Sequence, residues 1–179
     1  MASTTRARLG LLDTLSVMRL GMLGLAFGAV LVTAAELTFL AHWKGTLQLL
    51  PWVALLAVVI GILLIGLRPS RIAIRVGRVL GLVALLIGGI GVLVHVISNH
   101  DAGVLDFHYT ATWPTMSEVE RWWLAATGGV GPTPPLAPAS LAFAALLLLL
   151  ASIRVPVRVR AERNAVARAA RSGYDEAPS

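Results

Sequence analysis

Histidines and carboxylates are the side chains of this sequence best suited to proton transfer or metal coordination. Glu36 is the most unusual of them, because it interrupts an apolar run, where a charge costs on the order of 3 kcal/mol at mid-helix. Glu36 follows Arg19 by seventeen residues, and His95 follows Arg78 by the same number. At a rise of about 1.5 Å per residue, both lie about 25 Å beyond these arginines. We therefore predict that Glu36 and His95 lie at matched depth, in contact if their helices are neighbours.

A histidine and a carboxylate at one level allow several kinds of chemistry. Glu36 and His95, with His42 nearby, are candidates to bind and deprotonate a quinol or to hold another cofactor, and facing histidines can hold haem. The next loop carries three candidate ligands for zinc, copper or iron, namely His100, Asp106 and His108. No metal motif is present, because no His-Glu-x-x-His and no histidine pair four residues apart occur. The alternative is that these residues have only structural roles. In that case the loop histidines are exposed to water, and Glu36 accepts hydrogen bonds that stabilise the fold. The sequence does not identify which cofactor, if any, the protein binds.

The chain that must position these side chains is strongly apolar. Its 179 residues are 57% hydrophobic and 13% charged, and the mean hydropathy is +0.81, which indicates lipid as the surrounding medium. The sequence contains no cysteine, so disulfides, thiolate metal sites and cysteine nucleophiles are excluded. No catalytic motif is recognisable either, and we expect a protein that is not an enzyme.

Four apolar runs are long enough to cross a bilayer, in which only helices satisfy their own backbone groups. These predicted spans cover residues 20–41, 47–67, 79–97 and 136–153. We therefore predict an all-α bundle of four transmembrane helices, with a cytoplasmic N-terminal segment 1–19, an outer loop 98–135 and a basic cytoplasmic tail 154–179. Cleavage of the first run as a signal peptide is disfavoured by its length.

The basic residues predict how this bundle is oriented. All but Lys44 and Arg121 of the fifteen Lys and Arg residues flank one end of the runs. The positive-inside rule then places both termini in the cytoplasm, in a bacterial inner membrane, with every histidine and tryptophan at the opposite face. We predict contact with anionic lipid rather than nucleic acid, despite a pI near 11.3. The predicted lipid-binding residues are Arg68, Arg71, Arg75, Arg78, Arg154, Arg158 and Arg160.

The outer loop is predicted to form an ordered cap. Residues 105–113 alternate between apolar and polar side chains, which predicts a half-buried extended segment with Asp106 and His108 on one face. Thr115 and Glu118 then predict a capping box that begins a short helix.

This helix carries Trp122 and Trp123, which favour the membrane interface, and is predicted to end at Gly128. A stiff connector of glycine and proline, residues 131–135, leads to the fourth run.

Two glycine patterns predict close helix contacts. They are Gly24-x-x-x-Gly28 and Gly77-x-x-x-Gly81, and each serves either a dimer face or packing within the bundle.

Several short motifs carry a resemblance to other proteins. They are Glu36-Leu37, His42-Trp43, Gln48-Leu49 with Pro51, Arg68-Pro69, His95 and Asn99. In these positions the chain resembles small uncharacterised bacterial four-helix integral membrane proteins. The resemblance implies the four-span architecture and directs attention to Glu36, His42 and His95, but it implies no activity.

Three functions remain open. We expect a non-catalytic accessory or assembly subunit of a larger bacterial membrane complex, of respiratory or photosynthetic type, with other membrane protein subunits as partners. The alternative is an outer-face redox protein that binds a metal, haem or quinone through Glu36 and His95. A small proton-coupled transporter is the second alternative, which the absence of polar residues at mid-membrane disfavours.

Overall fold

The chain folds into helices and turns over the residues that the structure describes. These are residues 2–67 and 69–153 of a computed structural model, with side chains described from residue 14 onward. Five α-helices follow in the order α1 Ala2–Phe39, α2 Leu50–Leu67, α3 Arg71–Ala102, α4 Glu118–Thr127 and α5 Leu136–Ala151. No strand occurs in this part of the chain, and the predicted all-α class is confirmed.

Three segments of the described chain are long and apolar enough to cross a membrane. They are Thr14–Phe39, Thr46–Leu67 and Arg71–Leu105. The first three predicted runs lie almost entirely within these segments, and the third segment is longer than its predicted run at both ends. α5 is also apolar but has 16 residues, or about 24 Å, against a hydrocarbon thickness of about 30 Å. Three membrane-capable helices are therefore shown, while the fourth span and the orientation stay predictions.

The four longer helices pack side by side, with α5 between α1 and α3. α5 contacts both of these helices extensively and α2 less so, and α2 packs mainly against α3. Small side chains on α5 allow this close approach, and the buried ones are Ala137, Ala144, Ala145 and Ala151. α1 and α3 consequently lie at opposite corners of the arrangement.

The two glycine patterns serve different surfaces. A Cβ atom on Gly77 would lie 2.9 Å from a side chain of α2, and one on Gly81 would lie 3.1 Å from a side chain of α5. This pair therefore supports packing within the bundle. A Cβ on Gly24 or Gly28 would meet no described atom within 4 Å. The expectation that Gly24 and Gly28 also pack within the bundle is not met in the described part of the chain.

Arg78 connects α3 to the end of α5. Its Nε donates to Ser152 Oγ at 3.0 Å, and its Nη2 donates to the Ser152 carbonyl oxygen at 2.9 Å. The last carbonyl groups of a helix lack partners within the helix, and a cation there is favourable. Arg78 therefore helps to fix the register between the start of α3 and the end of α5.

The loop that follows α3, residues 103–135, forms the cap. The extended segment predicted for residues 105–113 is wrong, because the chain makes successive turns: Tyr109 N donates to Asp106 O at 3.0 Å and Trp113 N to Tyr109 O at 2.7 Å. A lone extended segment leaves its backbone groups unpaired, whereas turns satisfy them locally. The alternation does not mark one buried face, since Trp113 is buried but Phe107 is 85% exposed.

The short helix α4 is confirmed, but its capping box is formed by Ser117 and Glu120, not by Thr115 and Glu118 as predicted. The Ser117 hydroxyl accepts from Glu120 N at 3.3 Å, and the Glu120 carboxylate accepts from Ser117 N at 3.0 Å. The Thr115 hydroxyl instead donates to a carbonyl one turn earlier, at 2.8 Å. The helix ends as predicted at Gly128, whose φ is +73°.

One buried side chain, Asn99, fastens the cap to α3. Asn99 is fully buried. Its Nδ2 donates to the carbonyl oxygens of Thr133 at 2.8 Å and Ala125 at 3.2 Å, and its Oδ1 accepts from Thr133 N at 3.0 Å. Gly131 lies directly against Asn99 with a φ of +83°, which leaves no room for a side chain. The end of α4 and the connector are thereby held over the end of α3.

Candidate functional site

The tryptophan-rich end is the end of the bundle where α1 and α3 finish and α2 and α5 begin, and His42 lies there in the α1–α2 turn. Ala41 makes this turn with a φ of +48°. His42 N donates to Leu37 O at 2.9 Å, and Trp52 Nε1 donates to His42 O at 2.8 Å. The backbone of His42 is therefore fixed on both sides, which holds its ring at the start of α2.

The ring of His95 on α3 is oriented by the cap. His95 Nδ1 lies 2.9 Å from the Pro134 carbonyl oxygen, and the Thr133 hydroxyl lies 3.2 Å from the His95 carbonyl oxygen. A carbonyl oxygen only accepts hydrogen bonds, so this contact requires the proton on Nδ1. In the neutral ring, Nε2 then presents a lone pair.

Two adjoining cavities lie beside these histidines. The larger, the groove, has a volume of about 370 Å³ and lies between α2 and α3. The smaller, the chamber, has a volume of about 60 Å³ and reaches inward between α1, α3 and α5. The two share five lining residues, which are His42, Pro51, Ile87, Gly91 and His95. Both histidines therefore lie where the groove meets the chamber.

The chamber contains a third polar group, the hydroxyl of Thr33 on α1. Thr33 lines the chamber and is 1% exposed, and its Oγ1 has no hydrogen-bond partner in the described part of the chain. A buried hydroxyl without a partner costs about 1–3 kcal/mol. A threonine within a helix commonly avoids this cost by bonding to a carbonyl one turn back. Thr33 therefore contributes to the wall of the chamber a buried hydroxyl whose hydrogen-bonding capacity is unused in the described part of the chain.

The site carries little charge. Burial lowers the pKa of His42 below its ordinary value, and the repulsion between the two rings when both His42 and His95 are protonated lowers this pKa further. Among the described residues, no lysine, arginine, aspartate or glutamate lines either cavity. The surroundings therefore favour an uncharged His42 ring, and no fixed charge favours an ionic ligand.

Glu36 lies outside the site that contains His95. α5 separates the main contacts of α1 from those of α3, and Glu36 lines neither cavity. The Glu36 side chain is partly exposed, and none of its hydrogen bonds or ion pairs within the described residues involves His95. The contacts of α1 and of α3 are mainly with α5 and α2, and the predicted Glu36–His95 contact stays a prediction. His95 is instead associated with His42.

Of the three predicted metal ligands, the structure pairs Asp106 with His108, and no ion pair or hydrogen bond joins His100 to either of them in the described part of the chain. His108 Nδ1 lies 3.7 Å from Asp106 Oδ1, close to a turn in which Asp106 accepts from the His108 amide. His100 lies at the end of α3, stacks on Trp122 with ring centroids 4.1 Å apart and approaches Glu118 at 3.8 Å. Within the described chain, no group of three or more suitable side chains has the arrangement to hold a metal ion.

The predicted lipid-binding arginines fall into three groups. Arg71 and Arg75 are exposed at the start of α3, and lipid binding there stays a prediction. Arg78 is partly engaged by Ser152. The remaining members lie outside the described residues, as does the basic tail 154–179, and they are Arg68, Arg154, Arg158 and Arg160.

Sequence reasoning did not identify Thr33 or Asn99 as part of this region. Thr33 lies among small residues, a pattern that fits only the signal-peptide cleavage that the length of the first run disfavours. The one available signal was that Thr33 precedes Leu37 and Leu40 at helical spacing, and all three line the chamber. The bonds of Asn99 to Ala125 and Thr133 span 26 and 34 residues, a separation for which no local pattern exists.

Comparison with known proteins adds no assignment: no protein-family model matches the chain, and no curated protein or solved structure is significantly similar to it. The resemblance to small bacterial four-helix membrane proteins therefore stays a prediction. The fold itself defines a helical protein with three membrane-capable segments in its described part.

Proposed function

We propose that this is an integral membrane protein that binds an amphiphilic molecule, with the apolar chain of the molecule in the groove and its polar end in the chamber. One observation carries the proposal: His42, His95 and Thr33 are the polar residues that line one otherwise apolar cavity. Polar side chains at membrane depth are costly and are usually retained for a function.

The shape of the groove supports entry from the side. Its flanks include Leu47, Leu50, Ile90 and Val94, which are 46–80% exposed on the outside of the bundle. In a bilayer these apolar side chains face lipid, so a membrane-dissolved molecule reaches the groove without passing through water. The groove volume of about 370 Å³ lies at the lower end of the range for small-molecule sites, roughly 300–1,000 Å³.

The orientation is part of the proposal. With four spans and both termini in the cytoplasm of a bacterial inner membrane, the tryptophan-rich end faces away from the cytoplasm. The chain has no native cysteine, so Lys44→Cys and Arg75→Cys each provide one labelling site. A membrane-impermeant maleimide applied to intact spheroplasts should label the Lys44→Cys variant and not the Arg75→Cys variant. The opposite pattern contradicts this orientation.

Photo-crosslinking tests the binding site directly. Purified protein in nanodiscs is exposed to single-chain amphiphiles that carry one diazirine in the chain and end in an alcohol, a carboxylic acid or a methyl ester. We expect at least one of them to label residues of the groove. Val94→Trp should fill the groove from its exposed side and reduce labelling about fivefold or more, since a filled site loses the apolar contacts.

Leu93→Trp is the matched control, because Leu93 is exposed on the same helix and outside both cavities. This variant should label like the wild type. Labelling spread evenly over the lipid-facing helices, or unchanged in Val94→Trp, would show that no such site exists.

Membership of a larger complex, as an accessory or assembly subunit, stays a prediction. Gly21, Gly24 and Gly28 face away from the rest of the described bundle, a surface compatible with a helix of another subunit. Co-purification from native membranes tests this role. The redox alternative and the proton-coupled transporter also stay predictions.

A further inference from the structure

We infer that the chamber selects an uncharged amphiphile whose polar end is a hydroxyl group, either a long-chain alcohol or a phenol. The inference rests on the proposed function and specifies the ligand of the same site. The hydroxyl donates to His95 Nε2.

The requirement for a donor follows from the Pro134 contact. Because Nδ1 of His95 is committed to the Pro134 carbonyl at 2.9 Å, the nitrogen left on the neutral ring is an acceptor. A ligand that only accepts, such as an ether or an ester, cannot bond to it. The position of Pro134 is not adjustable, since the preceding Thr133 is bonded through its backbone N and O to the buried Asn99.

The charge of the ligand is limited by what lines the chamber. A carboxylate or phosphate would enter without a lysine or arginine, and an ammonium would enter without a carboxylate, because Glu36 lies outside the lining. Burial of an unpaired ion is strongly unfavourable. The lowered pKa of His42 also disfavours a positive charge on its ring, which an anion would otherwise meet.

The size of the chamber also favours a small polar end. Its volume is about 60 Å³, whereas that of the adjoining groove is about 370 Å³. The longer part of an amphiphile is therefore accommodated in the groove.

Competition against the photoprobe that labels the groove tests the inference. The competitors share one chain length and end in an aliphatic alcohol, its methyl ether, a carboxylic acid or a hydroquinone. We expect the alcohol or the hydroquinone to compete about tenfold more strongly than the ether, the value for one hydrogen bond of about 1.4 kcal/mol. The stronger of these two competitors identifies the source of the hydroxyl as aliphatic or phenolic.

Variants separate the hydrogen bond from general packing. His95→Phe keeps a ring but no acceptor, so the preference for alcohol over ether should disappear while some competition remains. His108→Ala, an exposed histidine of the cap, should keep the preference. The wild-type ratio alone decides the matter if His95→Phe does not fold.

The outcomes distinguish the two claims. If the ether or the acid competes as strongly as the alcohol, the hydroxyl inference is wrong while the binding site stands. If no probe labels the groove in the first place, the proposed function itself fails.

Discussion

Replacing Asn99 by alanine is expected to release the cap from α3 while the bundle stays folded. The Asn99 side chain is fully buried and makes three hydrogen bonds to backbone groups of α4 and the connector. In Asn99→Ala, these backbone groups lose their partner. The four longer helices do not depend on these bonds for their mutual contacts.

The magnitude follows from the number of bonds. Each intramolecular hydrogen bond contributes about 0.5–1.5 kcal/mol net, and the backbone groups are hydrated once the cap opens. Three such bonds give an expected loss of about 2–4 kcal/mol for the closed position of the cap. That loss corresponds to an increase in local opening of roughly 30- to 1,000-fold.

Hydrogen exchange measures this opening residue by residue. In Asn99→Ala, exchange of the Thr133 amide and of the α4 amides should accelerate by this factor, while the core amides of α2 exchange as in the wild type. Ser98→Ala is the matched control, because Ser98 is the exposed neighbour of Asn99 on the same helix. Exchange in the cap that is unchanged within threefold, or acceleration throughout the bundle, would refute the reasoning.

Three further predictions concern stability. Arg78→Ala should lower the free energy of unfolding by about 1–2 kcal/mol in detergent denaturation, since it removes two bonds to the end of α5, whereas Arg75→Ala should change it by less than about 0.5 kcal/mol. Gly131→Ala should destabilise the closed cap by about 1–3 kcal/mol, measured by hydrogen exchange, because the φ of Gly131 is +83° and Asn99 occupies the position that a Cβ atom would take. Gly45→Ala is the control expected to have no effect, because Gly45 has a φ of −135° and open space around it. The pKa of His42 is lowered in the folded state, so at a pH below 6.5 the His42 ring takes up a proton more readily in the unfolded chain than in the folded protein. The free energy of unfolding should therefore fall as the pH is lowered from about 8 to about 5. This fall should be smaller in His42→Gln, and equal pH dependence in both proteins would contradict the assignment.

The helices were predictable from the sequence because their signals are local. Each apolar run is continuous over the length of a membrane helix, and the glycine at the end of α4 lies where left-handed backbone is needed. The predictions were wrong where one local sequence pattern is compatible with two different structures. Residues 105–113 fit an extended strand by alternation, but without a partner strand they form turns. Thr115 fits a capping box by spacing, but its hydroxyl is already used one turn back.

The candidate site was only partly predictable, because it depends on which helices are neighbours. Equal depth placed Glu36 and His95 at one level, and depth is a property of single helices. Adjacency is a property of packing, and the packing sets α5 between α1 and α3. His42 was named as an outer neighbour and does line the cavity with His95. Thr33 was missed because a hydroxyl is cheap enough in a helix to carry no warning in the sequence.

The cap and the cavity are physically one system. His95 Nδ1 is bonded to Pro134, and Pro134 follows the residue that Asn99 holds, so the proton position on the ring is set by a side chain one turn further along α3. If the cap opens, Pro134 leaves, and His95 is free to carry its proton on either nitrogen. The His95 ring can then bind either a ligand group that donates a hydrogen bond or one that accepts a hydrogen bond. The selectivity that we propose for the chamber therefore requires the closed cap, whereas the groove, formed by α2, α3 and the α1–α2 turn, does not.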